Sequence, residues 1–208
     1  MNAIPGFPKG PFGDIFDSDR KQSMLSEPEI RKVPGRPIMV PGGVTHVHSE
    51  PHHLTIGIDP GLSGAIAFIS DDGLPCVYDL PVMRDKSLAW IDGAALQSLI
   101  INEREGRNAT ARIERVSAMP GQGVSSSFQF GVGFGSILGV LQALSIPIEF
   151  VTPGVWKKFY GLDSDKKAAL YKARLLYPDV DLHLAKHDGR AEALLIARYA
   201  RSVTKVAA

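Results

Sequence analysis

Four acidic residues stand where carboxylates can do metal chemistry. Asp59 closes the apolar run LTIGID, Glu114 lies in ARIERV, and Asp188 and Glu192 open HDGRAEALLIA. Carboxylates are hard oxygen ligands suited to Mg²⁺ or Mn²⁺. Two such ions about 3.5–4 Å apart clamp the attacking and leaving oxygens of an in-line phosphoryl displacement. Gathered acids repel one another unless cations offset them, so convergence of these four points to hydrolysis of a phosphodiester. Each also has a plainer reading. Asp59 precedes Pro60 and can open a turn by bonding its own backbone. Glu114 can face solvent or pair with Arg112 or Arg115. Asp188 and Glu192 fall one helical turn apart on one face, where they can be an N-cap and a first-turn acid favoured by the helix dipole. His187 beside them is open as a proton donor, a phosphate contact or a spectator.

The elements that must position these acids follow from pattern. LTIGID predicts a strand ending at Asp59. PGLSG predicts a turn in which Gly61 and Gly64 can take positive φ. AIAFIS predicts a second strand, Asp72-Gly73 a hairpin turn, and LPCVYDL a third strand, so an antiparallel meander is expected. A helix is predicted over IDGAALQSLIINERE, with Ile91, Ala95 and Leu99 on its apolar stripe and Ala94 and Ile101 beside it. TARIERV predicts a fourth strand ending near Glu114, and SFQFGVGFGSILGVLQAL a long helix despite Gly131, Gly133, Gly135 and Gly139. IPIEFV predicts a fifth strand. Ser164 can cap a helix over DKKAALYKARLLY that stops before Pro178, and a last helix runs from about Asp188 to Arg201. A meander followed by strand–helix alternation predicts an α/β fold: a mixed sheet with helices on both faces. Such sheets place ligands at strand carboxyl ends, where the acids lie.

Composition bounds the rest. The chain has 208 residues, 44% hydrophobic and 22% charged, ordinary values for a globular domain. Residues 1–53 hold 8 of the 15 prolines, spaced so that neither helical nor strand periodicity survives. They are read as a flexible tail, with the functional domain at 54–208. THVHSEPHH within the tail is read as a His-rich linker. The single Cys76 excludes an intramolecular disulfide and a cysteine-built zinc site. The opening residues lack the continuous apolar segment of a secretory signal. No apolar run is expected to reach membrane-span length, so no membrane partner and a cytoplasmic setting are expected, an organellar one being the alternative. Net charge is only +1, but residues 150–208 carry 11 Lys and Arg against 6 Asp and Glu. A basic surface beside an acidic pocket suits a polyanion, and solvated helix faces are the plainer account.

Taken together, the motifs resemble those of the RuvC-type Holliday junction resolvases of the RNase H-like fold. IGIDPGLSGAIAF is similar to that family's first-strand motif, IERV to its fourth-strand motif and HDGRAEALLIA to its last-helix motif. The form HDGRAEA resembles the phage-type and chloroplast-type branches. VTPGVWKKFYGL with Asp165, Lys166 and Lys167 resembles the segment before the penultimate helix. The resemblance covers roughly residues 54–201 and implies a five-stranded mixed sheet, three strands antiparallel and two parallel. It implies that Asp59, Glu114, Asp188 and Glu192 hold two Mg²⁺ ions, with Mn²⁺ able to substitute. One departure stands out: bacterial members place two acids three apart in the last helix, and position 189, where that partner would fall, is glycine.

The activity implied is nicking of a four-way DNA junction in recombination and repair, leaving 5′-phosphate and 3′-hydroxyl ends. Lys157, Lys158, Lys166, Lys167 and Arg190 are candidate phosphate contacts, with Lys172 and Arg174 further along the same helix. Gln122, Ser125 and Phe128 are candidates in the loop and helix that would approach the junction centre; Phe128 and Phe130 can equally be core. Paired nicks suggest a C₂ homodimer through the glycine-rich helix. The rivals are an RNase H-like nuclease acting on RNA–DNA hybrids or flaps, a non-catalytic junction binder, and a kinase- or actin-like phosphate binder, for which the chain is short.

Overall fold

The alternation in LTIGID decides how the sheet is built. The computed structural model describes residues 53–71, 75–86, 88–115, 123–163 and 165–207. The N-terminal tail, the Asp72-Gly73 turn, Ser164 and Gln122 lie outside the described residues. Strands β1 (Leu54–Asp59), β2 (Ala65–Ile69) and β3 (Pro75–Asp79) form the expected meander. A hairpin, β4 (Val82–Asp85) and β5 (Leu88–Ile91), precedes helix α1 (Gly93–Arg104). Then come β6 (Ala109–Glu114), α2 (Val124–Ala143), β7 (Ile148–Val151), α3 (Pro153–Phe159), α4 (Lys166–Leu176), a short 3₁₀ turn (Ala185–His187) and α5 (Asp188–Ala207). The main sheet runs β3-β2-β1-β6-β7, antiparallel among the first three and parallel from β1 to β7. This is the mixed five-stranded sheet of the RNase H-like fold.

Both faces of the sheet are covered, so its central strands are apolar on both sides. Leu54, Ile56 and Ile58 of β1 join Ile66, Phe68 and Ile113 under Leu96 and Ile100 of α1 and Ile137 and Leu141 of α2. The alternate residues face the other way. There Ala65, Ala67 and Ile69 meet α5 through Ala193, Leu194 and Ala197, with Trp156 of α3 and Ala169 and Ala173 of α4 in the same core. Each large aliphatic side chain so buried contributes about 1.5–3 kcal/mol. α5 lies directly on Gly57, where an added Cβ would stand 2.3 Å from both the Ala193 carbonyl and the Ala197 amide. Glycine on the strand and alanines on the helix therefore let the two backbones touch.

Several expectations are corrected. Ile91 ends β5 rather than lining a helix, and Asp92 caps α1 by accepting from the Ala95 amide at 3.0 Å. The buried stripe of α1 is thereby shifted to Leu96 and Ile100, leaving Ile101 half exposed. α4 is capped by Asp165, which accepts from the Lys167 amide at 2.9 Å. α5 continues past Arg201 to Ala207. The turn after β1 holds Gly64 by close approach rather than by positive φ: a Cβ there would lie 2.1 Å from the Asp59 carbonyl oxygen. Finally, α2 is 20 residues long with no charged side chain, and by length and composition it could cross a membrane. It buries only Gly133, Ile137 and Leu141, so its opposite face, with Val124, Phe128 and Val132, is exposed.

Candidate metal centre

Asp59 and Glu114 end neighbouring parallel strands. β1 and β6 pair in register up to Ile58 and Ile113, which puts the two acids side by side at the carboxyl edge. Their positions in the alternation turn both toward α5, opposite the Ile58–Ile113 face. α5 brings Glu192 over that edge. Carboxylate oxygens of Asp59, Glu114 and Glu192 lie within 4.8 Å of one another. Asp188 stands outside that group: it is half-buried at the start of α5, and its Oδ1 accepts from the Gly189 amide at 3.1 Å. Position 189 has no room for an acid. A Cβ there would stand 2.8 Å from the Ser63 carbonyl and 3.1 Å from Asp59 Oδ2. The first turn of α5 thus presses on the turn that follows Asp59.

The environment suits a divalent cation. Glu114 is 6% exposed, and its Oε1 accepts from Trp156 Nε1 at 2.8 Å. Burial pushes its pKa up, the Trp156 bond pulls it down, Glu192 pushes it up and Lys157 pulls it down, in that order of size. Lys157 Nζ lies 3.2 Å from Glu192 Oε1 and 5.1 Å from the Trp156 ring centroid. Three carboxylates against one ammonium leave a formal deficit of two positive charges, the charge of one Mg²⁺ or Mn²⁺. The donor set, all hard oxygen, fits such an ion.

Trp156 is a site residue that the sequence patterns missed. Its bond to Glu114 spans 42 positions, beyond any local periodicity, though Thr152-Pro153 marks the start of the helix that carries it. Replacing Trp156 with Phe keeps an aromatic side chain, smaller than the buried indole, and removes the donor. Glu114 then loses the bond that offsets its burial and holds its proton to higher pH. Because protons compete with metal for the carboxylate, the pH below which Mn²⁺ affinity collapses should move upward, read by titration across pH. An unchanged profile contradicts the coupling.

The other predicted site residues are spread around this centre. Lys158, Lys167, Ser125 and Phe128 are exposed, while Lys166 opens α4. Phe130 is half-buried and stacked on Phe134 at 6.3 Å. Arg190 is held by Asp79 through bonds of 2.6 and 2.7 Å. His187 belongs to a different cluster: it is buried, 3.7 Å from Asp181 Oδ1 and edge-on to His183. Burial first, and Arg190 second, hold its pKa below the ordinary histidine value.

No protein-family model matches the chain, and no curated protein matches it in sequence. Solved structures do match. T. thermophilus RuvC in complex with a Holliday junction substrate superposes with a TM-score of 0.50 at 15% identity, over 74% of this chain and 98% of that one. A second Thermus thermophilus RuvC structure gives 0.46 at 17% identity, over 73% and 97%. At these identities the likeness is one of fold. The chain has an RNase H-like α/β fold in its RuvC-like form.

Proposed function

We propose that this chain is a Mg²⁺-dependent endonuclease of RuvC type that cuts four-way DNA junctions by paired nicks. The observation that carries the reading is the gathering of Asp59, Glu114 and Glu192 within 4.8 Å at the carboxyl edge of an RNase H-like sheet. The T. thermophilus RuvC of like fold is in complex with a Holliday junction substrate, which favours a junction over other DNA. Asp59, Glu114 and Glu192 would hold the ion. Asp188, one turn earlier on α5, is the further acid on which a second ion would draw. When bound, Mg²⁺ or Mn²⁺ makes hydroxide available near neutral pH and offsets charge on the leaving 3′-oxygen.

The protein's own groups do the rest. Glu114 is kept dry and oriented by Trp156, which preorganises the carboxylates before substrate arrives. The Lys157 ammonium beside Glu192 holds negative charge in place, whether that of a carboxylate or of a scissile phosphate. Phosphorus gains a bond to water oxygen and loses the one to the 3′-oxygen, which takes up a proton. Lys158, Lys166, Lys167, Ser125 and Phe128 are proposed DNA contacts. Arg190 would have to exchange Asp79 for a phosphate. A junction offers two equivalent strands, which a C₂ homodimer would match. The C-terminal half of the uncovered face of α2, where Gly135 and Gly139 have open space, is the proposed contact between copies.

The test incubates the full chain with a labelled four-way junction, a matched linear duplex, a flap and an RNA–DNA hybrid, with and without Mg²⁺. Paired Mg²⁺-dependent nicks confined to the junction are expected. Junction binding without cutting would make it a binding protein, and preference for the hybrid or flap would make it a different nuclease.

A further inference from the structure

The cross-strand row that holds Asp59 and Glu114 continues to a third acid. Asp59 pairs with Ala65 on β2, and Ala65 pairs with Asp79 on β3. Neighbouring strands lie about 4.8 Å apart, so Asp79 stands roughly 10 Å along the row from Asp59. Asp79 is in phase with Val77, which is buried in the core under α5, so its side chain shares the face of the metal centre. There it meets Arg190, two residues before Glu192 on α5. Arg190 donates from Nε to Asp79 Oδ1 at 2.6 Å and from Nη2 to Asp79 Oδ2 at 2.7 Å. Its remaining nitrogen, Nη1, lies 3.7 Å from Asp181 Oδ2. Asp181 thus steadies one edge of the guanidinium while the fork at the other edge grips Asp79. Asp79 is the outer member of the pair, its side chain 64% exposed against 21% for Arg190. The bond from Arg190 first, against the opposing effect of burial, and then the nearby Arg190, His187 and Lys186 charges hold the Asp79 carboxyl below the usual carboxylate range.

We infer that the Arg190 fork is the subsite for one non-scissile phosphate near the cut, and that the Asp79 carboxylate occupies it as a stand-in until DNA displaces it. The inference rests on the junction-nuclease reading and adds to it an anchoring subsite with a built-in competitor. A carboxylate and a phosphodiester offer two oxygens to the same pair of N–H groups. A DNA strand rises about 3.4 Å per nucleotide, so the offset from the metal centre corresponds to about three nucleotides. An exposed ion pair holds weakly, whereas a phosphate contact also releases counterions, so DNA outcompetes Asp79 where a phosphate reaches the fork. Asp79 then turns outward, and Asp181 keeps the guanidinium in place. Such a contact positions the strand without reading its sequence. DNA that places no phosphate there leaves Arg190 with Asp79 and gains nothing from it.

The test measures four-way-junction affinity of the full chain without Mg²⁺, so that no strand is cut. It covers a salt series and a set of junctions that each carry one uncharged methylphosphonate at a different phosphate around the crossover. Asp79→Asn should bind the unmodified junction about 1.5- to 5-fold tighter, the span that an exposed ion pair withholds. Arg190→Ala should bind more weakly, and its affinity should fall less steeply with salt, by about one unit of slope. The gain from Asp79→Asn should vanish in the Arg190→Ala background, and also on the one junction whose methylphosphonate replaces the bound phosphate. An unchanged affinity in Asp79→Asn, or a gain that survives Arg190→Ala in full, overturns the inference. So does a scan in which no position depends on Arg190. If Arg190→Ala fails to fold, the scan of wild type against Asp79→Asn decides: a gain lost at one position supports the subsite, and a gain equal at every position overturns it. Cleavage of the unmodified junction with Mg²⁺ is scored separately. A wild type that binds the junction but does not cut it overturns the nuclease reading and leaves the phosphate subsite standing.

Discussion

Asp59→Asn should lose about a thousandfold in Mg²⁺-dependent junction cleavage while binding the junction almost as well as the wild type. Transition-state charge stabilisation by a bound ion is worth several kcal/mol, and about 4 kcal/mol is three orders of magnitude in rate. Asparagine keeps the volume and the turn geometry but offers a neutral oxygen and an N–H₂ group toward Glu114 and Glu192. The DNA contacts proposed on α2, α3 and α4 are untouched. Stability should move the other way. Three carboxylates within 4.8 Å repel when no cation offsets them, so Asp59→Asn should melt at or above the wild-type temperature in EDTA. Loss of activity together with gain of stability marks a functional acid. Wild-type cutting by this variant would remove Asp59 from the centre.

The largest structural effect is expected at Gly57. A Cβ there meets two backbone atoms of α5 at 2.3 Å and a third at 2.7 Å. Backbone cannot swing aside as a side chain can, so α5 must lift from the sheet. Gly57→Ala should therefore cost at least the upper end of the overpacking range, about 3 kcal/mol. For a domain of this size that lowers Tm by on the order of 10 °C. Since α5 carries Glu192, metal affinity should fall with it. Gly131→Ala is the control: nothing lies within 4 Å of its added Cβ, and removing a helical glycine should raise stability by up to about 1 kcal/mol. A Gly57→Ala variant that melts with the wild type would mean the helix does not sit where the structure places it.

Much of this was legible in the sequence, for physical reasons that also show where legibility ends. β1 and β6 alternate cleanly and end at acids, so Asp59 and Glu114 could be placed at one sheet edge by topology alone. Asp188 and Glu192 could not be told apart that way. They share a helix face, and what separates them is the contact of Gly189 with the Asp59–Gly64 turn, a tertiary fact. The β4–β5 hairpin was missed because its strands are four residues each, and Ile91 falls in phase with the helix that follows. The sequence leaves Glu114 open to Arg112, Arg115 or solvent. Arg112 instead pairs with Glu149 on β7, its neighbour across the parallel register, and Trp156 takes Glu114. The long apolar α2 was legible as a helix, but how little of it the sheet would cover was not.

The central claim is that Asp59, Glu114 and Glu192 form one divalent-metal centre. Its most direct test is titration of the full chain with Mn²⁺, followed by electron paramagnetic resonance, in the wild type and in Glu114→Gln. The account predicts saturable binding in the wild type that Mg²⁺ competes away and that Glu114→Gln weakens at least about tenfold. Identical Mn²⁺ binding by the two proteins would place the metal elsewhere and contradict it.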